Sequence, residues 1–450
     1  MSTREIARYH DLLAEGDVAA ATAETLDRLL RLDGLFFGDR ALCSVLRPRF
    51  LSMGQYRHIA RASALVGSAL DKLRQAAMQD SVLRSQFGLT DWEERLIHAD
   101  PGFAASSPTS RLDAFFAAGE SGLKFTEYNA ETPAGAAYND ALSSAFLALP
   151  AMHAFNRTHI ALPLPAAPSV VHTLLDAYHA WRGVREAPTV CILDWREVPT
   201  FSEFVLFQRE FSALGITSFI GDPRDAEYTE GRLLIGGQHV TLIYKRVLID
   251  ELVTREGIDS PVVRAVKDGA VCMVNPFRCK LLHKKASLAV LSDERQATLF
   301  SSEEQAAVSA HVPWTRVVSE RQTAYGAGRV DLVAFIAANR ERMVLKPNDE
   351  YGGKGIVLGW TVDDATWQSS IETALAEPFI VQERVEIPSE PWPAWTYGAL
   401  QIGERMLDTA PFLVNGVTMS GCLTRIATDP LLNVSAGGGS NVPTFLVEER

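Results

Sequence analysis

The sequence predicts a mixed α/β (α+β) protein of several domains, and three observations support this prediction. The chain has 450 residues and a mass of 49.3 kDa, which allows roughly two to four domains at about 100–200 residues each. From residue 187 onward, short apolar runs alternate with helical stretches, the pattern of a largely parallel sheet. Hydrophobic residues make up 47% and charged residues 22% of the chain, which excludes a disordered chain, a fibre and a coiled coil.

The composition also excludes several classes of partner. The formal net charge is −12 and the isoelectric point is near 5.4, whereas nucleic-acid phosphates require a basic surface. No stretch approaches the ~18 apolar residues of a membrane span, and the first residues lack the apolar segment of a signal peptide. The five cysteines have no CxxC spacing, which is typical of a reducing compartment. We therefore expect a cytoplasmic protein that binds neither nucleic acid nor membranes.

Changes in composition and apolar spacing along the chain predict four segments with different secondary structure. They are a helical N-terminal region, a strand-containing segment, a Rossmann-like α/β unit and a second α/β unit, over residues 1–100, 101–186, 187–273 and 274–450, respectively. The first is expected to be helical because apolar residues recur at three- and four-residue spacing, as in Ile59 and Ala62. In the second, helices are expected over 139–185. In the third, the apolar runs at 232–235 and 240–246 are separated by a short stretch that begins with two glycines, so they are expected to pair as a hairpin.

A strand, a glycine-rich loop and a second strand are expected in succession over residues 343–360. The first strand ends in Lys346, and the loop contains Gly352, Gly353, Lys354 and Gly355. Glycine lets backbone N–H groups approach an anion closely, and lysine supplies a point charge for phosphate. The loop does not fit the Walker A pattern. It therefore predicts either an anion-binding loop or an ordinary hairpin with solvated lysines.

A third apolar strand is expected at 379–385, and it ends in the polar residues Gln382 and Glu383. At this point the backbone N–H and C=O groups can hydrogen-bond to the edge of a purine, and the carboxylate can accept hydrogen bonds from a ribose. The alternative is a strand that simply leaves the core.

Two further strands carry acidic and amide side chains. Glu127 and Asn129 are two residues apart and therefore point to the same side of a strand. Asp113 adds a third oxygen donor if its strand is the neighbour. Such oxygen donors suit Mg²⁺, which binds one or two carboxylates together with substrate phosphates and water. The alternative is a set of polar residues on a solvated strand face.

Near the C-terminus, Arg425 precedes a run with three consecutive glycines at 437–439. Arginine can neutralise a transferring phosphoryl group, and the glycine run can form a second anion-binding loop. The alternative is a flexible surface turn.

Taken together, these motifs resemble the ATP-grasp superfamily, and most closely its circularly permuted branch, the glutathionylspermidine synthase-like proteins. The order of the motifs carries the resemblance, because Arg111-Leu-Asp113 and Glu127-Tyr-Asn129 precede the lysine strands instead of following them. The resemblance covers residues 105–450. It implies an ATP-grasp fold with a permuted motif order, in which residues 187–273 form the Rossmann-like pre-ATP-grasp unit and residues 274–450 the nucleotide-binding domain.

The resemblance also implies a role for each motif. Arg111 would bind phosphate, and Mg²⁺ would be held by Asp113, Glu127 and Asn129. Lys346 would contact ATP together with Lys285, for which Lys284 is the competing assignment. The segment Gly352–Gly355 would form the lid over ATP, and Gln382 with Glu383 the adenine hinge.

The activity that this resemblance implies is ATP-dependent carboxylate–amine ligation through an acyl phosphate, with release of ADP and phosphate. The cofactors would be ATP and Mg²⁺, and the substrates a small-molecule or peptide carboxylate and an amine acceptor. Arg111 and Arg425 would stabilise the charge on the transferred phosphoryl group. Arg246 is expected either to bind an anionic substrate or to be a charged strand end. The helical N-terminal region is expected to form a homodimer interface or a substrate lid.

Two other functions stay open at this point. One is an ATP-grasp phosphotransferase that stops at a phosphorylated product. The other is a non-catalytic, nucleotide-binding partner protein, against which the presence of Asp113, Glu127, Asn129 and Lys346 argues.

Overall fold

The computed structural model describes residues 3–117, 119, 122–350, 352–429 and 439–450. The N-terminal region is mainly helical, as its apolar spacing predicts, but it also contains short strands. Its longest helix begins at a capping box, in which Ser52 and Gln55 each accept a hydrogen bond from the backbone N–H of the other. The elements are α1 (Thr3–Ala14), α2 (Val18–Leu32), β1 (Phe36–Phe37), β2 (Arg40–Ala41), β3 (Arg49–Leu51), α3 (Met53–Gln79), α4 (Ser81–Ser85) and α5 (Asp91–Leu96).

The second segment starts with an antiparallel strand pair and continues mainly as helices. The expectation of helices over 139–185 is correct except for one strand between two of them. The elements are β4 (Thr109–Phe116), β5 (Leu123–Asn129), α6 (Ala136–Leu147), α7 (Pro150–Phe155), β6 (His159–Pro163) and α8 (Ala167–Arg182).

The third segment contains a parallel sheet of order β13-β12-β7-β8, as the alternation of strands and helices predicts. A small antiparallel sheet of order β11-β10-β9 lies beside it. The elements are β7 (Val190–Leu193), α9 (Phe201–Ala213), β8 (Ser218–Gly221), β9 (Ala226–Thr229), β10 (Arg232–Ile235), β11 (Gln238–His239), β12 (Leu242–Lys245), α10 (Ile249–Glu256), α11 (Pro261–Lys267) and β13 (Cys272–Val274).

The predicted hairpin between 232–235 and 240–246 is wrong. β10 pairs with β9 and β11, whereas β12 pairs in parallel with β7 and β13. Every residue of β12 is buried. A strand that is apolar on both faces belongs inside a covered parallel sheet, not in an edge hairpin.

The fourth segment first forms helices and an antiparallel sheet of order β14-β19-β17-β18. The predicted strand at 356–360 is shorter than expected, because its second half is a 3₁₀ turn over Gly359–Thr361. The elements are α12 (Cys279–His283), α13 (Ala286–Leu291), α14 (Ser302–His311), β14 (Thr315–Val317), β15 (Gln322–Tyr325), β16 (Gly328–Asp331), α15 (Leu332–Ala338), β17 (Met343–Pro347), β18 (Val357–Leu358), α16 (Asp364–Ala376) and β19 (Phe379–Glu383).

The last part of the chain completes the sheet that contains β4 and β5. These strands are β20 (Ser389–Thr396), β21 (Ala399–Leu407), β22 (Ala410–Val414), β23 (Thr418–Ala427) and β24 (Ser440–Glu449). The sheet has the order β20-β21-β23-β22-β4-β5, and β24 joins it through β23. β24 also pairs with β3 of the N-terminal region and with β6 of the second segment. No helix in the described ranges is both long and apolar enough to cross a membrane.

Candidate functional site

The strand pair β4–β5 presents four predicted site residues on one face. Arg111 lies opposite Asn129, and Asp113 lies opposite Glu127. Residues two apart on a strand, and directly opposed residues on neighbouring strands, share a face. The register shifts just beyond Asp113, at Thr126. Glu127 and Asn129 share a face by strand alternation, and the bulge lets Phe125 and Tyr128 both turn to the core.

Asp113 lies at the centre of a hydrogen-bond network with two arginines. Arg111 donates to both carboxylate oxygens, at 2.6 and 2.9 Å, and Arg425 donates to Oδ2 at 2.8 Å. The side-chain amide of Asn129 also donates to Oδ2, at 3.0 Å. Burial alone would raise the pKa of Asp113, but the charges of Arg111 and Arg425 outweigh burial and hold the pKa at about 2. Arg425 is itself fixed by a second carboxylate, since its Nε donates to Asp408 at 2.5 Å.

Two lysines from other parts of the chain reach this face. Lys285 Nζ lies 3.3 Å from Glu127 Oε1. Lys346, on β17, donates to the backbone oxygen of Thr126 at 3.3 Å and to Gln382 Oε1 at 2.7 Å. Burial lowers the pKa of Lys346 to about 8, an effect that Glu127 opposes and Lys285 increases. We call Arg111, Asp113, Glu127, Lys285, Lys346 and Arg425 the open cluster.

The structure distinguishes the two adjacent lysines between which the sequence could not decide. Lys284 Nζ lies 2.7 Å from Glu93 Oε1 and 2.8 Å from Asp349 Oδ2, away from Glu127. It belongs to a buried ionic group that sequence reasoning missed. We call the members of this group the closed cluster: Glu93, Glu131, Lys245, Lys280, Lys284 and Asp349.

Asn348 positions Lys285. This residue was not identified from the sequence. Its backbone oxygen accepts from the N–H of Lys285 and its side-chain oxygen from the N–H of Ala286, both at 2.9 Å. Its side-chain amide donates to Phe87 O at 2.7 Å. The start of α13 is therefore fixed to the loop that follows Lys346. The only sequence signal was the polar Asn-Asp pair just after the lysine strand.

The predicted hinge residues differ in accessibility. Gln382 is 2% exposed, accepts from Lys346 and donates to Thr315 Oγ1 at 3.0 Å. Glu383 accepts from the Tyr325 hydroxyl at 2.8 Å and lines a cavity of about 670 Å³. Gln382 therefore orients the lysine, whereas Glu383 faces space in which a ligand fits. Other cavity residues include Lys124, Trp314, Arg384 and Glu386.

The glycine loop has the backbone that its sequence predicts. Gly352, Gly353 and Gly355 have φ values of 64°, 78° and 71°, a region that favours glycine. Lys354 points outward and pairs with Glu350 at 3.2 Å, so it does not join the open cluster. The loop reaches that cluster through the backbone oxygen of Glu350, which accepts from Lys285 at 2.5 Å. Tyr351 lies outside the described residues.

Two other expectations concern Arg246 and the C-terminal glycine run. Arg246 is 6% exposed, and its guanidinium donates to Tyr244 at 3.0 Å and to Glu203 at 2.9 Å. Arg246 therefore forms an internal ion pair, and its contact with an anionic substrate stays a prediction. Residues 433–438 of the glycine run lie outside the described residues, and Gly439 O accepts from Arg40 at 3.2 Å.

The donor set on β4–β5 fits Mg²⁺ by its chemistry. Asp113, Glu127 and Asn129 offer two carboxylates and an amide, which are hard oxygen donors. Among the described residues, no group of three or more His, Cys, Asp or Glu side chains could hold a metal by itself. Mg²⁺ does not need such a cage, because it keeps waters and binds substrate phosphates.

Comparisons with known proteins agree with the mixed α/β architecture. No protein-family model matches the chain. A protein of Frankia alni named "Putative glutamate--cysteine ligase 2-3" is 25% identical over 338 residues, which cover 72% of this chain and 36% of that protein. The chain thus spans about a third of the length of this relative. The apo structure of a glutathione synthetase-like effector from Globodera pallida superposes with a TM-score of 0.58 and 13% identity, over 96% of this chain and 98% of that one. This second likeness establishes a shared fold.

Proposed function

We propose that this chain is an ATP-dependent carboxylate–amine ligase of the ATP-grasp type, with the motif order permuted. One observation carries the proposal: Lys285 and Lys346 come from separate elements and meet the face of β4–β5 that bears Asp113 and Glu127. A site for a nucleoside triphosphate requires lysines that bind the phosphates and oxygen donors that bind Mg²⁺.

The charge of the open cluster supports an anionic ligand. It has four cationic side chains and two carboxylates, and Asp408 adds one more carboxylate beside Arg425. The described side chains here therefore leave an excess of positive charge. A polyphosphate chain would neutralise this excess, because phosphate oxygens accept strong hydrogen bonds from lysine and arginine.

Each part of the site has a proposed role. Asp113, Glu127 and Asn129 would hold Mg²⁺, which supplies charge neutralisation on the β- and γ-phosphates. Lys285 and Lys346 would hold the phosphate chain. The cavity beside Glu383 and Trp314 would receive the adenosine, and the segment Gly352–Gly355 would cover the nucleotide.

The proposed reaction has two steps. A substrate carboxylate attacks the γ-phosphorus, and the bond to the bridging oxygen breaks to release ADP and leave an acyl phosphate. A neutral amine then attacks the acyl carbon, loses a proton and expels phosphate to give an amide. Arg111 and Arg425 would stabilise the charge on the phosphoryl oxygens during both steps.

Support for ligation in particular comes from the comparisons. The Frankia alni relative carries a ligase name, and the Globodera pallida protein is named glutathione synthetase-like. The substrates in those names are not carried over, since the first match covers 36% of that protein. Support for the permuted order comes from β4–β5, which precede the lysine strands in sequence but share a sheet with β22.

The test is thermal unfolding with and without Mg-ATP. We expect Mg-ATP to raise the unfolding midpoint of the wild type, because a ligand at a hundred times its Kd adds about 2.7 kcal/mol to the free energy of unfolding. The double variant Asp113→Asn/Glu127→Gln should lose this magnesium-dependent shift. The matched control, Asp259→Asn/Glu372→Gln, changes two exposed acids and should keep it. A wild type without any shift contradicts the proposal. A positive result leads to screening acid–amine pairs for ADP release.

A further inference from the structure

The parallel sheet of residues 190–274 has a crevice at the carboxyl ends of its strands. β7 lies between β8 and β12, so the chain leaves β7 toward one neighbour and returns on the other side. Open α/β sheets bind ligands at such a reversal, outside the carboxyl ends of the strands. Asp194 follows β7 directly and Arg246 follows β12 directly, so these two residues border the reversal.

Asp194 lines a cavity of about 200 Å³ at this edge. It is 7% exposed, and its Oδ1 accepts from the Trp195 N–H at 2.8 Å. Within the described part of the chain, its carboxylate takes part in no ion pair. Phe201 and Phe219 also line the cavity.

The other carboxylates of the cavity are neutralised by arginines. Asp222 accepts from Arg224 at 2.6 and 2.8 Å. Asp225 pairs with Arg196 at 2.5 Å. Asp194 differs from these two carboxylates, because it forms no ion pair with any of the described residues. A buried carboxylate in this state favours a cationic ligand.

A chain of contacts joins this edge to the open cluster. Arg246 donates to Glu203 at 2.9 Å, and Glu203 accepts from the N–H of Gly135 at 2.7 Å. The neighbouring Ala134 accepts from Arg111 at 2.6 Å. These contacts connect the strand end that bears Arg246 to the backbone beside Arg111.

We propose that this cavity binds a cationic amine group of the acceptor substrate, with the Asp194 carboxylate as its counter-ion, and that this ammonium group loses a proton to solvent before the neutral amine attacks. The acceptor role rests on the proposed ligase function. Phe201 and Phe219 provide ring faces and apolar surface beside the carboxylate. The ligand class is therefore an organic ammonium ion with an apolar part, such as the protonated form of an alkyl or arylalkyl amine.

The pH dependence of ligand binding gives a second, independent test of the role of Asp194. Burial raises the pKa of Asp194 to about 6. Binding of an ammonium ion should therefore strengthen as the pH rises through 6, because the carboxylate becomes charged. The charged groups that face Asp194 from the elements packed around it are Arg196, Asp222, Asp225, Lys245, Arg246 and Glu251.

The experiment measures binding of phenethylammonium by calorimetry, with 2-phenylethanol as the neutral control. We expect Asp194→Asn to weaken phenethylammonium binding by at least about tenfold, the value of one charged hydrogen bond. Asparagine keeps the oxygen that accepts from Trp195, so the loop should stay folded. Asp259→Asn, an exposed site in the same unit, should bind like the wild type. The proposal fails if wild type does not bind the ammonium ion, if Asp194→Asn binds it equally well, or if the alcohol binds as tightly.

The two proposals fail separately. Asp194→Asn should keep the Mg-ATP shift in unfolding midpoint, since Asp194 is not part of the open cluster. An Mg-ATP shift without ammonium binding overturns the acceptor site and leaves the nucleotide site standing. Ammonium binding that depends on Asp194, in a protein without an Mg-ATP shift, overturns the ligase and leaves a separate cation site.

Discussion

Two groups of charged residues lie side by side in this protein, and they differ in charge balance and exposure. The closed cluster pairs the carboxylates of Glu93, Glu131 and Asp349 with the ammonium groups of Lys245, Lys280 and Lys284, so its described members are neutral in sum. The open cluster has more cations than carboxylates, and its Glu127 and Arg425 side chains are 30% and 26% exposed. In the closed cluster Asp349 is 25% exposed, and the other five side chains are at most 3% exposed. The closed cluster is therefore complete without a ligand, whereas the open cluster is suited to receive an anion.

The boundary between the two clusters runs between Lys284 and Lys285. Lys284 follows α12 directly with an extended ψ of 133°, and Lys285 precedes α13 directly with a helical ψ of −24°. This break in the helix turns neighbouring side chains toward different surroundings. The position of a charged residue in the sequence, next to a site residue, therefore does not show that its side chain belongs to the site.

The largest expected effect comes from breaking the closed cluster with Glu131→Gln. Glu131 is 0% exposed and faces Lys245 and Lys280 at 3.6 and 3.4 Å. Their charges, together with that of His283, lower the pKa of Glu131 against the opposing effect of burial. Removing one partner of a buried ionic group leaves uncompensated charge and costs about 3–5 kcal/mol.

We expect this loss in the free energy of unfolding of Glu131→Gln, measured by urea denaturation. The exposed control Glu372→Gln should stay within about 0.5 kcal/mol of the wild type. A change below about 1 kcal/mol in Glu131→Gln would mean that the closed cluster is not an energetic unit.

The next effect separates stability from ligand binding at the two adjacent lysines. Lys284→Met should lower the free energy of unfolding by about 3 kcal/mol, because Glu93 and Asp349 lose a buried partner. It should keep the Mg-ATP shift in unfolding midpoint. Lys285→Met should lose that shift. Both are measured by thermal unfolding with and without Mg-ATP, and the reverse result would assign the nucleotide contact to Lys284.

The sequence predicted the local parts of the site better than the connections between them. The strand that ends in Lys346, the left-handed glycines and the shared face of Glu127 and Asn129 follow from short-range rules of spacing and backbone conformation. These features depend on residues within a few positions of one another.

Long-range pairing was outside what the sequence could predict. Two partners of β24 are β3 and β6, which are separated from it by hundreds of residues in the chain. Likewise, no role was predicted from the sequence for Glu131 and Asp349, two acids that both pair with Lys280 in the folded protein. The false hairpin of β10 with β12 has the same origin, because sequence proximity suggested a pairing that the buried parallel sheet overrides.

The smallest effect concerns the protonation of Lys346 in the open cluster. Burial lowers its pKa from 10.5 to about 8 in the folded protein. Between these values the unfolded chain binds more protons than the folded one, so this group makes the free energy of unfolding rise with pH. The contribution is at most about 1.4 kcal/mol per pH unit. Mg-ATP affinity should change in the opposite direction, falling above pH 8 as Lys346 loses its charge.

A comparison of wild type, Lys346→Met and the exposed-lysine control Lys354→Met isolates this group, since all other titrating groups are shared. Urea denaturation at pH 7, 8, 9 and 10 should show a rise in wild type and Lys354→Met that Lys346→Met lacks. Parallel slopes in all three proteins would mean that Lys346 titrates like a solvated lysine. In that case the open cluster would not hold a desolvated cation, and its difference from the closed cluster would be one of charge balance alone.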